Sequence, residues 1–133
     1  MFRGPVMTHR SDSLESVISR LEELRRSLTS HIIEGDAARI LEDLSTRLSL
    51  LALVYTDYTE DLNGLARRLR LLSTFAQALH NQWRHIHSKR VFGRINYLDE
   101  HINSVIFELR NMVEEMRTKK VIRRIEVVRR IVF

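Results

Sequence analysis

The sequence contains no cysteine, one proline and four glycines in 133 residues. Without cysteine the chain cannot form disulfide bonds, bind zinc through thiolates or use a thiol nucleophile. The scarcity of glycine and proline argues against a loop-rich β architecture, because such folds need frequent turns. With 44% hydrophobic and 29% charged residues, the composition is that of a folded chain rather than a disordered one. The length allows one domain.

Long apolar runs are also missing. The longest apolar stretch covers residues 48–55 and is far shorter than the roughly 20 residues that cross a bilayer. No apolar core follows Arg3 and Arg10, as a secretory signal would require. We therefore expect an intracellular, cytoplasmic protein with neither a secretory signal nor a transmembrane segment.

The sequence has none of the common catalytic motifs. It contains no G-x-S-x-G, no Walker A loop, no G-x-G-x-x-G and no H-E-x-x-H. Among the six histidines no two are four residues apart, and no glutamate is followed by a histidine at the third position, so metal-ligand spacing is absent. We expect no enzyme activity, no catalytic residues, no metal, no cofactor and no small-molecule substrate.

The positive charge is concentrated at the C-terminus. Residues 117–133 carry seven cations and one anion, whereas the rest of the chain has a net charge of −1. In halves, residues 1–62 carry −4 and residues 63–133 carry +9. Such asymmetry favours contact with a polyanion or charge-directed assembly.

Apolar residues recur at alternating steps of three and four, the spacing of amphipathic helices. Asp12 and Glu15 resemble a capping box, and Gly35-Asp36 indicates a helix end followed by a new N-cap. We therefore predict a first helix over about residues 12–34. A longer series keeps the spacing of packed helices: Leu41, Leu44, Leu48, Leu51, Tyr55, Tyr58, Leu62, Leu65, Leu69, Leu72, Ala76, Leu79, Trp83 and Ile86.

That longer series allows two structures. As one helix it would be about 50 residues and roughly 75 Å long at 1.5 Å per residue. As a hairpin it would fold near the middle, where residues 56–59 are polar, Glu60 and Asp61 suit a first helical turn, and Asn63-Gly64 is a favoured turn pair. We favour the hairpin. The predicted fold is all-α, an antiparallel four-helix bundle, with a long coiled-coil-like helical hairpin as the alternative.

A last core helix carries the apolar positions Ile95, Leu98, Ile102, Val105, Leu109, Met112 and Met116. Before it, residues 88–94 interrupt the pattern and indicate a basic loop. The apolar series ends at Met116, because its next position, Lys119, would place an unpaired charge in the core. We therefore divide the chain into a flexible lead (1–11), a helical bundle (12–118) and a basic apolar tail (119–133). The β-branched residues of the tail leave helical and extended conformations open.

The tail combines cations with apolar residues that its own core cannot use. This pattern predicts a non-enzymatic interaction module, self-associating or a coiled-coil subunit of a larger assembly, which binds a protein partner or a second copy through the tail. The residues expected to contact the partner are Lys119, Lys120, Arg123, Arg124, Val128, Arg129, Arg130, Ile131 and Phe133.

Part of the chain resembles a known family. The segment Leu71–Gln77, Asn81-Gln82, the basic residues 89–94 and the helix from Ile95 to Leu109 are similar to the helical N-terminal domains of the HeLo and mixed-lineage-kinase-like type. The resemblance implies a four-helix bundle that acts in cell death or immunity by self-association and on anionic membranes. It also implies that Lys89, Arg90 and Arg94 contact anionic lipid. The same cations support a third hypothesis, nucleic-acid binding.

Overall fold

The computed structural model describes residues 13–28, 36–83 and 89–132, with side chains described at 13–28, 36–81 and 94–120. These residues form four helices: α1 (Leu14–Leu28), α2 (Ala37–Val54), α3 (Thr59–Trp83) and α4 (Lys89–Val132), with a 3₁₀ turn at Thr56–Tyr58 between α2 and α3. The all-α prediction is confirmed. The end predicted for the first helix falls outside the described residues, as does Asp12.

The helices form a ring in which each contacts the next, α1–α2–α3–α4–α1. Among the described residues the diagonal pairs have no close backbone contact. Neighbours run in opposite directions. For example, Arg68 of α3 pairs with Glu108 of α4, whereas further along α3 the ring of Phe75 contacts Tyr97, nearer the start of α4. The result is the predicted antiparallel four-helix bundle.

The predicted apolar positions fill a single core. In the long series, the described residues from Leu41 to Leu79 are buried except Leu51 and Tyr55, which are half-buried. The largest side chains that are fully buried are Leu14, Leu21, Leu28, Leu41, Leu44, Leu48, Leu62, Leu69, Leu79, Ile95, Leu98 and Ile102. Met112 and Met116 are half-buried and pack at the margin of this core. The apolar series therefore thins out where the sequence predicted its end.

The helices α2 and α3 are joined by a repeated contact between small residues. At three levels a hydroxyl donates to an alanine carbonyl of the other helix: Ser73 Oγ to Ala38 O (2.6 Å), Ser45 Oγ to Ala66 O (2.7 Å) and Thr59 Oγ1 to Ala52 O (2.7 Å). The positions are spaced by seven on each helix. A hydroxyl one carbon from its own backbone reaches a neighbouring carbonyl only where two helices pack closely. We call this contact the hydroxyl–alanine ladder.

The helices α1 and α4 are joined by charged residues at the edge of their apolar contact. Three ion pairs cross between them: Glu15 with Arg117 (3.3 Å), Glu22 with Arg110, and Arg25 with Asp99 (2.8 Å). The first two pairs are also spaced by seven on each helix, in antiparallel order. We call this set the charged ladder.

The structure decides between the two interpretations of residues 36–87 and moves the turn. The chain leaves the helix at Tyr55 and enters α3 at Thr59, so the hairpin prediction is confirmed. The prediction of a turn at Asn63-Gly64 is wrong, because both residues lie inside α3. Glycine inside a helix costs only about 1 kcal/mol, which the packing of α3 outweighs. Asp36 precedes α2 as predicted but makes no side-chain capping hydrogen bond.

The predicted basic loop at residues 88–94 is also wrong for the part described, because Lys89–Arg94 belong to α4. A break in the apolar spacing shows only that these positions leave the core, and Lys and Arg are themselves good helix formers. The conformation of the tail, left open by the sequence, is helical to Val132. Extending an existing helix needs no new nucleation, so the β-branched residues do not stop it.

Candidate functional site

One end of the bundle brings together the α2–α3 turn, the start of α1 and residues 115–120 of α4. Two contacts to α4 show that these segments lie at the same height along the bundle. Tyr58 in the turn contacts Glu115, and Glu15 in α1 contacts Arg117. The described parts of α1, α2 and α3 all begin or end here. Among the described residues, α4 alone continues beyond this end, through residues 121–132, which add about 18 Å at 1.5 Å per residue. We call residues 121–132 the α4 extension.

A cleft of about 390 Å³ lies at this end of the bundle. Its lining residues are Val54, Tyr55, Thr56, Asp57, Tyr58, Met116, Lys119 and Lys120. The cleft therefore combines an apolar wall from the end of α2 and Met116 with charged groups of both signs.

Tyr58 connects the hairpin turn to α4 within this cleft. Its ring is buried, with 8% of its surface exposed. Its hydroxyl donates to Glu115 Oε1 over 2.6 Å, and Lys119 Nζ lies 5.1 Å from the ring centroid, a cation–π distance. The two α4 residues are four apart, so one helical turn supplies both partners of the tyrosine.

Two pKa values in this cluster are shifted in the same direction. The hydrogen bond to the Glu115 carboxylate raises the pKa of Tyr58, because ionising the phenol would put two negative charges together. The pKa of Lys119 is also raised, mainly by Tyr58 beside it and further by Glu115 and Asp57. Both shifts lead away from neutral pH. Near pH 7 the phenol of Tyr58 therefore stays protonated and Lys119 keeps its positive charge.

The surface around the cleft is both apolar and acidic. At the end of α2, Leu53 and Val54 are 74% and 70% exposed. The next residues along the chain include Asp57, Glu60 and Asp61, which are exposed and form no salt bridge within the described residues. We call these five residues the turn-end surface. Glu60 and Asp61 can be identified from the sequence as first-turn acids, but no local pattern connects them with an exposed apolar surface.

Several of the residues that the sequence predicted for partner binding lie at the same end. Lys119 and Lys120 are exposed and line the cleft. The backbone of the extension that carries Arg123, Arg124, Val128, Arg129, Arg130 and Ile131 is helical, whereas their side chains, and Phe133 altogether, lie outside the described residues.

The second predicted basic group is not brought close to the first. Lys89 and Arg90 lie in the first turn of α4, with side chains outside those described, and Arg94 is half-buried. From Arg94 to Lys119 the helix rises about 38 Å at 1.5 Å per residue. The two groups therefore occupy opposite ends of the bundle and do not form one basic patch.

The described part of the chain lacks two other kinds of site. No three His, Asp or Glu side chains there are grouped closely enough to hold a metal ion. Nor does any described helix have the length and apolarity to span a membrane.

A further exposed surface lies on α3 and α4. Tyr97 stacks edge-on against Phe75 (5.4 Å between ring centroids) and against His101 (4.1 Å), and Leu71 is exposed one turn before Phe75. This surface is mainly aromatic, with the exposed Glu100 one helical turn from Tyr97. It differs in chemistry from the acidic turn end.

No protein-family model, curated protein or solved structure matches this chain. The resemblance to HeLo and mixed-lineage-kinase-like domains therefore stays a prediction from the sequence.

Proposed function

We propose that this protein is a non-enzymatic helical interaction module, in which the four-helix bundle is a scaffold and the basic α4 extension docks on an acidic protein surface. The observation that carries the proposal is the length of α4. This helix continues through residues 121–132, past the level at which the hairpin turn and the start of α1 contact it.

The charge of the extension supports a docking role. It contains four arginines and one glutamate among valines and isoleucines. Apolar side chains on a helix that projects from its own core gain free energy when a partner covers them. The arginines add bidentate hydrogen bonds to carboxylates and restrict the choice of partner.

The first test compares the full chain with a chain that ends at Lys120. The buried core residues run from Leu14 to Leu109, so the shorter chain retains all of them and should keep its helical circular dichroism and its cooperative unfolding. It should lose self-association in light scattering, and it should bind polyglutamate at least about tenfold more weakly, a loss of about 1.4 kcal/mol. Unfolding of the shorter chain would instead show that the extension is part of the core.

A charge-reversal pair controls for net charge. Arg123→Glu/Arg124→Glu should weaken polyglutamate binding as the truncation does. Arg67→Glu/Arg70→Glu changes the charge equally, at exposed positions of α3 that form no salt bridge within the described residues, and should have a much smaller effect. Equal effects of the two pairs would mean that binding follows overall charge and that the extension has no docking role.

A second candidate is binding to an anionic membrane surface. The helical backbone of the extension favours it, because a helix with cationic and apolar residues can lie in the interface of a bilayer. Sedimentation with vesicles, with and without anionic lipid and at two salt concentrations, tests this candidate. Binding that does not depend on anionic lipid excludes the membrane candidate. A salt-dependent gel shift with nucleic acid would instead support the hypothesis of nucleic-acid binding.

A further inference from the structure

The turn-end surface has features that the fold alone does not explain. Glu60 and Asp61 lie in the first turn of α3, where the helix dipole favours carboxylates. The dipole does not explain why Leu53 and Val54, at the end of the preceding helix α2, are left largely exposed. An exposed apolar surface bordered by polar and charged residues is typical of a docking site.

The charges near this surface identify the class of partner. Asp57, Glu60, Asp61 and Glu115 supply four negative charges, against which stand two positive charges, those of Lys119 and Lys120. These six described side chains around the cleft and the turn-end surface together carry a net charge of −2. The α4 extension carries +3, from four arginines and one glutamate, and is otherwise rich in valine and isoleucine. Its composition is thus complementary to the turn-end surface in charge and matches it in apolar character.

The extension of the same molecule is badly placed to cover this surface. α4 is one continuous helix from Lys89 to Val132, so residues 121–132 lead away from the turn that residues 115–120 contact. A return would require breaking the helix. The extension of a second molecule has no such constraint, because it can approach from outside along the axis of the bundle.

We propose that the turn-end surface is the docking site for the α4 extension of a second copy of this chain. The surface and the start of the extension lie at the same end of the bundle. Two copies that meet through these ends therefore place each extension beside the other's turn, as two-fold symmetry requires. The inference rests on the proposed function, in which the extension docks on an acidic surface, and it names that surface.

Two other arrangements fit the charges less well. Pairing of two extensions with each other would bring segments of +3 together, which costs energy at short range. The aromatic surface around Tyr97 offers contacts with Phe75 and His101 and has one exposed carboxylate a helical turn away, Glu100, whereas the turn-end surface has three. The turn-end surface matches the extension better in charge and in apolar character.

Reversing the acidic charges tests the site directly. Glu60→Lys/Asp61→Lys should raise the dimer dissociation constant at least about tenfold, since each docked arginine would then face a like charge. The measurement is molar mass by light scattering across a concentration series. The control is Glu42→Lys/Glu100→Lys, an equal change at exposed acids without a described salt bridge, which should leave the dimer intact.

Mixing complementary variants gives a sharper test. Glu60→Lys/Asp61→Lys and Arg129→Glu/Arg130→Glu should each be monomeric alone. In the mixture, the unchanged basic extension of Glu60→Lys/Asp61→Lys can dock on the unchanged acidic surface of Arg129→Glu/Arg130→Glu. Conversely, the acidic extension of Arg129→Glu/Arg130→Glu can dock on the basic surface of Glu60→Lys/Asp61→Lys. The mixture should therefore form a heterodimer. If both variants are folded and monomeric but the mixture stays monomeric, the proposed contact does not exist.

Circular dichroism must show that each variant is folded, because the reversed charges lie in the first turn of α3. If Glu60→Lys/Asp61→Lys unfolds the hairpin, Glu60→Gln/Asp61→Asn removes the charge with less disturbance and should still weaken the dimer severalfold more than Glu42→Gln/Glu100→Gln does. An unchanged dimer in this milder variant would overturn the inference.

The outcomes separate this inference from the proposed function. If the full chain is monomeric at all concentrations, the inference is wrong, and polyglutamate binding alone decides the function. If truncation at Lys120 abolishes the dimer and the reversal at residues 60 and 61 does not, the extension docks on another surface. If truncation changes neither molar mass nor polyglutamate binding, both proposals are wrong.

Discussion

The α2–α3 hairpin and the α1–α4 pair are both antiparallel and both carry a seven-residue repeat, but different chemistry joins them. In the hairpin the repeated residues are alanine, serine and threonine, which bring the two backbones together and link them through hydroxyl-to-carbonyl hydrogen bonds. In the α1–α4 pair the repeated residues are charged, and they meet at the rim of an apolar contact.

The difference determines which changes each contact tolerates. The hydroxyl–alanine ladder leaves no space for a larger side chain, because a close-packed interior cannot expand without strain. The charged ladder lies partly in solvent, where screening reduces the strength of an ion pair and long side chains can rearrange. We therefore expect the hairpin to be sensitive to volume and the α1–α4 pair to charge.

The largest predicted effect tests volume in the hairpin. Ala66 is fully buried at the middle of the ladder, and Ala66→Leu should lower the free energy of unfolding by about 3 kcal/mol, since the added atoms must push α2 and α3 apart. Urea denaturation measures the change. The control is Ala78→Leu, the same substitution at an exposed position of the same helix, expected to change stability by less than about 0.5 kcal/mol. Similar effects at the two sites would show that α2 and α3 are not closely packed.

A smaller effect tests charge in the α1–α4 pair. Arg25 donates two hydrogen bonds to the Asp99 carboxylate (2.8 and 3.1 Å) and one to Asn103 Oδ1 (2.8 Å). Arg25→Ala should therefore destabilise the protein by about 1–2 kcal/mol, with the lower value favoured by partial exposure.

The matched control is Arg20→Ala, whose ion pair with Glu23 stays within α1 and is exposed. It should cost less than about 0.5 kcal/mol. A double-mutant cycle with Asp99→Ala separates the energy of the Arg25–Asp99 ion pair from the packing energy of the aliphatic part of Arg25. A coupling energy near zero would show that the charged ladder does not contribute to the joining of α1 and α4.

Most of the fold could be predicted because it depends on a local, repeated signal. The spacing of leucines from Leu41 to Leu79 fixed which face of each helix is buried, and residues 56–59 marked the fold of the hairpin. The ladders could not be predicted in the same way. Ser45 and Ala66 are unremarkable in sequence, and their meaning depends on the register between two helices, which the spacing within one helix does not determine.

The site was predicted in part for the same reason. The net charge of residues 117–133 can be counted, so Lys119 and Lys120 were found. The contact of Tyr58 with Glu115 joins residues far apart in sequence, and no local pattern shows it. The separation of Arg94 from the tail likewise required the knowledge that α4 is one unbroken helix.

The smallest predicted effect lies where the hairpin turn meets α4. Tyr58→Phe removes the hydrogen bond to Glu115 but keeps the ring beneath Lys119, so the loss of stability should be smaller than for Arg25→Ala. Because folding raises the pKa of Tyr58, its contribution is fully present below the ordinary phenol pKa of about 10 and is lost as the pH rises through the higher value of the folded protein. The stability difference between wild type and Tyr58→Phe should therefore shrink above pH 10.

A spectroscopic titration measures the same contact. The absorbance of ionised tyrosine in the wild type, minus that in Tyr58→Phe, follows the ionisation of Tyr58 as the pH rises. The pH at the midpoint of this titration should lie above the ordinary phenol pKa of about 10, and Glu115→Gln should lower it. A midpoint that Glu115→Gln leaves unchanged would show that the carboxylate does not hold the phenol, and that the turn meets α4 through apolar contact alone.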